Sequence, residues 1–257
     1  QEEHDDLHEK FIEERDALEA KYRTLYKPIY DKRADIIAGT VEVPVDEDDA
    51  EEAAASASEE CPPGIPHFWL NALKNHEALE EQITEKDEGP LEFLKDITEE
   101  PLEDQKGFRL SFFFGPNPFF TNSVLTKSYF MVDDDEPILE KAEGTDIQWE
   151  SGKNVTVKVL KKKPKKGARN QKVLTKMEPC ESFFNFFSPP QVPEEEDELE
   201  EEEAEQLQDA MEMDYEIGSV IKEKIIPGAV MWFTGEAFMD DEDDEDDDDE
   251  DEDEDDE

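Results

Sequence analysis

The sequence predicts an α+β fold, with helices toward both ends of the chain and an antiparallel sheet between them. Three observations carry this. Apolar residues recur at helical spacing up to residue 97, cluster as alternating, β-branched and aromatic runs from Phe108 to Met177, and return to helical sequence from Glu198 to Glu236. Helices and strands in separate runs are the order of α+β domains. Sixteen Phe, five Tyr and three Trp supply the apolar surface for a core, which a wholly disordered polyanion lacks. Finally, the net charge of −50 is gathered into blocks, so that a domain of ordinary charge is left between them.

The first element is an amphipathic helix over residues 2 to 29, where Leu7, Phe11, Leu18, Tyr22, Leu25 and Ile29 form one stripe and charged residues fill the other sides. Pro28 is expected to interrupt it near its end, leaving Ile29 to Ala38 as a short second helix stopped at Gly39. Such a stripe pairs with a second chain or packs on its own domain, and the pattern alone does not choose. Cys61 to Pro66 is a turn-rich entry to a helix around Phe68, Trp69, Leu70, Leu73 and Leu79. Leu91, Leu94 and Ile97, three apart, predict another buried helix face. Four strand candidates follow: Phe108 to Phe114, with Arg109 and Ser111 alternating between apolar residues; Val124 to Val132; Asn154 to Leu160; and Val173 to Met177. Pro164 and Gly167 in Lys161 to Gln171 suit a hairpin tip between the last two. Ser182 to Pro190 holds four Phe in five positions, too apolar for an exposed segment, and is expected as a short helical turn under the sheet.

Three blocks contain no base: residues 46–60 with 8 acids, 194–205 with 10, and 240–257, in which every residue is acidic. They hold 36 of the 76 acids and leave −14 on the other 212 residues, a charge one domain can carry. Self-repelling runs with nothing to bury predict a disordered tail at 240–257 and an acidic loop at 39–63, both suited to cationic partners. No apolar run approaches the ~20 residues of a membrane helix, and Gln1 to Arg15 is polar, so an intracellular protein without a membrane partner is expected. Two cysteines, Cys61 and Cys180, fit a reducing compartment. The chain begins without Met inside helical sequence, which suggests an N-terminal truncation.

Catalytic signals are thin. The eleven glycines never take a GxGxxG spacing, no P-loop precedes Gly152-Lys153, and no Ser or Cys has an identifiable His partner, so no catalytic residue and no cofactor is assigned. His4 and His8 stand i, i+4 without a third metal ligand, so no metal site is assigned either. Asn154-Val155-Thr156 is a glycosylation sequon that reads as plain strand sequence. Ser151 to Met177 is the exception in charge, with ten bases and no acid. Its Lys161, Lys162, Lys163, Lys165 and Lys166 could be read by a nuclear import receptor, touch phosphate, or form a solvated hairpin that deters edge pairing. Sequence-specific nucleic-acid binding is not expected, because the surrounding field repels phosphate.

Longer motifs carry a resemblance. GIPHFWLNALKN from Gly64, FFTNSVLTKSY from Phe119, ESFFNFFSPP from Glu181, IIPGAVMWFTGEA from Ile225 and LEAKYRTLYKPIYDKRADII from Leu18 together resemble the nucleosome assembly protein family of histone chaperones over roughly residues 10 to 238. KKKPKKG from Lys161 looks most like plant or green-lineage members. The resemblance implies a homodimer on a long antiparallel helix, a four-stranded antiparallel sheet over helices, and ATP-independent handling of core histones, in a protein that shuttles between nucleus and cytoplasm. The chain begins near the middle of that family helix and stops within the acidic run. Divided accordingly, residues 1–38 hold the dimerisation helix and the short helix after it, 39–63 the acidic loop, 64–239 the histone-binding domain with a basic hairpin at 153–176, and 240–257 the tail. Dimerisation falls to Leu7, Phe11, Leu18, Tyr22 and Leu25, and histone binding to Asp133, Asp134, Asp135 and Glu136, to Glu194, Glu195, Glu196, Asp197 and Glu198, and to Asp240, Asp241, Glu242, Asp243 and Asp244. The rival class is a low-affinity calcium store, in which many carboxylates bind ions weakly.

Overall fold

A computed structural model describes residues 1–41, 64–103, 105–132, 139–161, 175–191 and 201–237, and the chain divides into one unit within residues 1–68 and another within residues 69–237. In the first unit the N-terminal stripe forms a single helix, α1 (Glu2–Ala38). Pro28 does not divide it, contrary to the expectation of two helices. The proline removes one backbone donor, toward the Thr24 carbonyl, and the turns on either side keep theirs. Gly39 ends α1 in the left-handed region, φ 70°, with its N–H on the Asp35 and Ile36 carbonyls. At Gly64 the chain lies against that helix end: a Cβ there would overlap the Ile37 carbonyl, which accepts from the Ile65 N–H at 2.9 Å.

The helix predicted around Phe68 to Leu79 is two short ones, α2 (Phe68–Lys74) and α3 (Glu77–Glu80), followed by α4 (Glu85–Leu91). Leu94 and Ile97 do not continue a helix. They belong to strand β1 (Leu94–Pro101), where a bulge between Leu94 and Asp96 adds one residue and returns both side chains to the buried face. A three-residue spacing therefore mimics a helix in sequence. β1 begins an antiparallel sheet of order β1-β2-β3-β4, with β2 (Gly107–Phe114), β3 (Val124–Met131) and β4 (Leu139–Gly144). The two later strand candidates are strands outside this sheet: β5 (Val157–Lys161) and β6 (Thr175–Pro179) pair only with each other, as an antiparallel ribbon. The places they were expected to fill belong to β1 and to β4, whose sequence LEKAEG has a single buried residue, Ala142, and no apolar alternation.

The inner face of the sheet is built from Phe108, Leu110, Phe112 and Phe114 on β2 and Leu125, Lys127 and Tyr129 on β3, all buried. Against it lies the 3₁₀ turn Phe183–Phe187, whose four Phe are buried as expected, Phe112 meeting Phe187 edge to face at 5.1 Å. The turn is anchored by Asp87 of α4, which accepts hydrogen bonds from the Ser182 hydroxyl, the Phe183 N–H and the Thr84 N–H and hydroxyl. Helix α5 (Glu201–Val220) follows, then a π segment (Ile221–Ile225) and α6 (Ile226–Thr234). Pro227 has no N–H to donate, and the backbone widens ahead of it; the Trp232 indole donates back to the Lys224 carbonyl at 3.2 Å.

One buried cation fastens α5. Lys127 is 0% exposed, and its Nζ donates to the Phe186 carbonyl at 2.6 Å and to Asp214 Oδ1 at 2.5 Å, above the Phe186 ring. The Tyr129 hydroxyl donates to the Asp214 carbonyl at 2.7 Å, and Gly218 leaves room for the Tyr129 ring, which a Cβ would overlap. Burial lowers the Lys127 pKa and raises that of Asp214, each opposed by the partner's charge. Desolvation is thus the larger force at this pair. Lys127→Met alone strands a buried carboxylate and is expected to cost about 3–5 kcal/mol, read as a lower urea midpoint. Joint Lys127→Met and Asp214→Leu should recover most of that loss; a double variant no better than the single would place the loss in packing instead.

Candidate functional site

Helix α5 is a long acidic element. Its twenty residues hold eight acids and no base. Asp214, Tyr215 and Gly218 face the sheet, where Tyr215 meets Tyr129 edge to face at 5.5 Å, so that Glu202, Glu203, Glu205, Asp209, Glu212 and Glu216 are left exposed. The sequence allows this because its apolar and small positions fall on one side of the helix.

A cleft of about 660 Å³ opens where α3, the 3₁₀ turn and α5 meet. Its charged lining is acidic throughout: Glu81, Glu181, Asp214 and Glu216. Phe183 and Phe186 lie at its base, and Met213, 63% exposed, stands on the α5 side. A second cleft of about 440 Å³ lies beside the β1–β2 turn, lined by Glu100, Glu103, Arg109 and Phe130 among others. Glu140 and Glu143 on β4 add exposed acid to one edge of the sheet. The arrangement can hold cationic groups by charge and apolar groups by contact. Among the described residues no group of three or more His, Cys, Asp or Glu could hold a metal ion, and no helix is long and apolar enough to cross a membrane.

The acids singled out from sequence, Asp133–Glu136 between β3 and β4, Glu194–Glu198 before α5 and Asp240–Asp244 after α6, lie outside the described residues, as do the tail and residues 42–63 of the acidic loop. Lys162, Lys163, Lys165 and Lys166 lie outside them too. The flanking ribbon is present, with Lys161 paired to Thr175. Leu7, Phe11, Leu18, Tyr22 and Leu25 of α1 are 45–68% exposed in the single chain. Sequence reasoning missed the cleft and Lys127. The signal for Lys127 was present, since Leu125, Lys127 and Tyr129 alternate on one side of β3 and a lysine at an inward position requires a partner. The cleft had no signal, because its walls come from residues 78–82, 181–190 and 210–217.

Comparison with known proteins agrees with this architecture. The family described as Nucleosome assembly protein (NAP) matches residues 1–236. "Nucleosome assembly protein 1;2" of Oryza sativa subsp. indica is 60% identical over 243 residues, 94% of this chain and 66% of that protein. "Nucleosome assembly protein 1;3" of Nicotiana tabacum is 58% identical over 246 residues, 94% of this chain and 64% of its own length. The chain thus spans slightly less than two thirds of these relatives. Among solved structures, "Nucleosome Assembly Protein 1 from Plasmodium knowlesi" superposes with a TM-score of 0.67 at 36% identity, covering 91% of each chain. A malaria parasite nucleosome assembly protein gives 0.63 at 34% identity, covering 91% of this chain and 90% of its own. With the match running from the first residue of α1 to the end of α6, the chain belongs to the nucleosome assembly protein family.

Proposed function

We propose that this protein is an ATP-independent histone chaperone, which binds core histones through acidic surfaces, shields them from non-specific DNA contact and assists nucleosome assembly and disassembly. The observation that carries the reading is α5: a helix fixed by its inner side, with six exposed acids and no base of its own. The relatives' names state nucleosome assembly, and this chain superposes on a solved member with a TM-score of 0.67. Histones are basic and attach to DNA without order, so a polyanion that covers them competes with phosphate and releases them where ordered wrapping is stronger. Such competition needs no catalytic residue and no cofactor. The acidic runs, including Asp240 to Glu257, supply further charge to it.

The stripe of α1 is assigned to a homodimer. Besides the exposed Leu7, Phe11, Leu18, Tyr22 and Leu25, charge supports an antiparallel arrangement: residues 1–19 carry nine acids and two bases, residues 20–41 two acids and five bases. Antiparallel pairing brings unlike halves together. The basic hairpin is assigned to a nuclear import receptor, in a protein that shuttles between nucleus and cytoplasm, because Lys161 to Lys166 concentrate positive charge in the sequence that joins the two strands of the ribbon.

Three outcomes follow from this reading. Affinity for purified core histones should fall steeply between about 0.1 M and about 1 M salt, as the screening length shrinks from ~10 Å to ~3 Å; titration that finds it unchanged would point to an apolar interface. Leu18→Glu with Leu25→Glu should convert a dimer to monomers by light scattering at micromolar concentration, and an unmodified protein already monomeric there would remove the dimer. Alanine at Lys161, Lys162, Lys163, Lys165 and Lys166 should leave a fluorescent fusion too large for passive entry in the cytoplasm. Undiminished nuclear signal would leave the lysines as a solvated hairpin.

A further inference from the structure

We propose that the cleft between α3, the 3₁₀ turn and α5 docks an extended basic segment of the partner that carries an aliphatic anchor. The inference rests on the reading of the protein as a receiver of basic proteins, and adds where one segment is held and by what chemistry. Bulk attraction to 76 acids is distributed and has no shape. The cleft has shape: Ala210, Met213, Asp214 and Ile217, at helical steps of 3, 1 and 3, form one wall, and the 3₁₀ turn forms the base.

The base is fixed before any ligand arrives. Ser182 accepts from the Phe184 N–H at 3.2 Å while donating to Asp87, and Phe183 stacks with Phe186 at 6.0 Å. A preformed wall costs a ligand less ordering entropy than a loop would. Met213 is unbranched, exposed and able to close over an inserted aliphatic side chain. Glu81, Glu181 and Glu216 stand exposed along the opening, and no base lines it to compete for them.

Asp214 adds a second kind of observation. Its Oδ1 holds Lys127, whereas Oδ2 is out of water and, among the described residues, has no hydrogen-bond partner, although the residue lines the cleft. A buried carboxylate oxygen without a donor is costly, so a small shift of the cleft wall that brings it to a cationic N–H held in the cleft would offset that cost. Charge and apolar contact together therefore select lysine or arginine next to an aliphatic residue. Anionic and purely apolar peptides are excluded by the same lining.

The test uses the full chain and fluorescence anisotropy of a labelled peptide carrying two leucines among lysines and serines. The same peptide with both leucines changed to serine, and a third form with its lysines acetylated, serve as comparisons. Three variants are measured: E81Q/E181Q/E216Q in the cleft, E92Q/D146N/E150Q at exposed positions of the same unit away from the cleft and from α5 with the same charge change, and Ala210→Phe, which fills the cleft at constant charge. The cleft triple should weaken the leucine peptide by about tenfold, the sum of several modest charge contacts, and the outer triple should leave it unchanged. Ala210→Phe should erase the preference for leucine over serine, and acetylation should abolish binding. Equal losses in the two triples, or no preference for leucine in the unmodified protein, would overturn the inference and leave only the general field. Purified core histones are titrated in parallel: binding of histones without binding of the peptide removes the cleft alone, whereas failure of both removes the chaperone reading as well.

Discussion

The architecture of the second unit turns on one buried ammonium group. Lys127 projects from the apolar face of β3 and reaches two other elements at once, the backbone of the 3₁₀ turn at Phe186 and the side chain of Asp214 on α5. No apolar residue could join these groups, because the turn carbonyl and the carboxylate would each lose a donor. Taking both charges out of water is expensive, and burial dominates their proton affinities. The pair is therefore better understood as fixing α5 in one place than as a source of net stability. Close approach at Gly218, against the Tyr129 ring, and at Gly144, where a Cβ would overlap the Phe187 carbonyl, lets the neighbouring backbones meet in the same arrangement.

That fixation bears on the surface. Because α5 is held by Asp214, Tyr215 and Gly218, its other sides can be acidic without disturbing the fold, and the cleft beside it has walls at set positions. Several cations of the body are engaged within it: Lys127 inside the core, Lys74 on Glu88, and Lys222 over the Phe108 ring. A chain of net charge −50 would oppose its own compaction if its acids were spread through the core. Concentrating them in runs and on one helix leaves the body near-conventional in charge and the field outside it strong.

Much of the fold was legible in sequence. The alternation Phe108, Leu110, Phe112, Phe114 is a strand with one buried face, Gly39 ends α1 in the conformation glycine favours, and four Phe in five residues had to be buried. The exposed stripe of α1 was legible as a stripe for the same reason, since periodicity records which side of a helix avoids water. Each of these signals is local and is written in residues a few positions apart.

The rest depended on contacts between segments far apart in the chain. A bulge made Leu94 and Ile97 resemble a helix face, and β4 carries a polar sequence because it is an edge strand with one buried residue. β5 and β6 were recognisable as strands, but pairing with each other rather than with the sheet is a matter of topology. The cleft is assembled from three segments more than 130 residues apart at their extremes, and the role of Lys127 exists only when Phe186 and Asp214 arrive beside it. The sequence by itself determined that this protein has an aromatic core, an amphipathic first helix and acid gathered in runs, because local spacing and composition govern burial and repulsion. Only the tertiary structure decided where a buried charge finds its partners and where acids and aromatics share one cavity, because those energies depend on distance in space and not on separation along the chain.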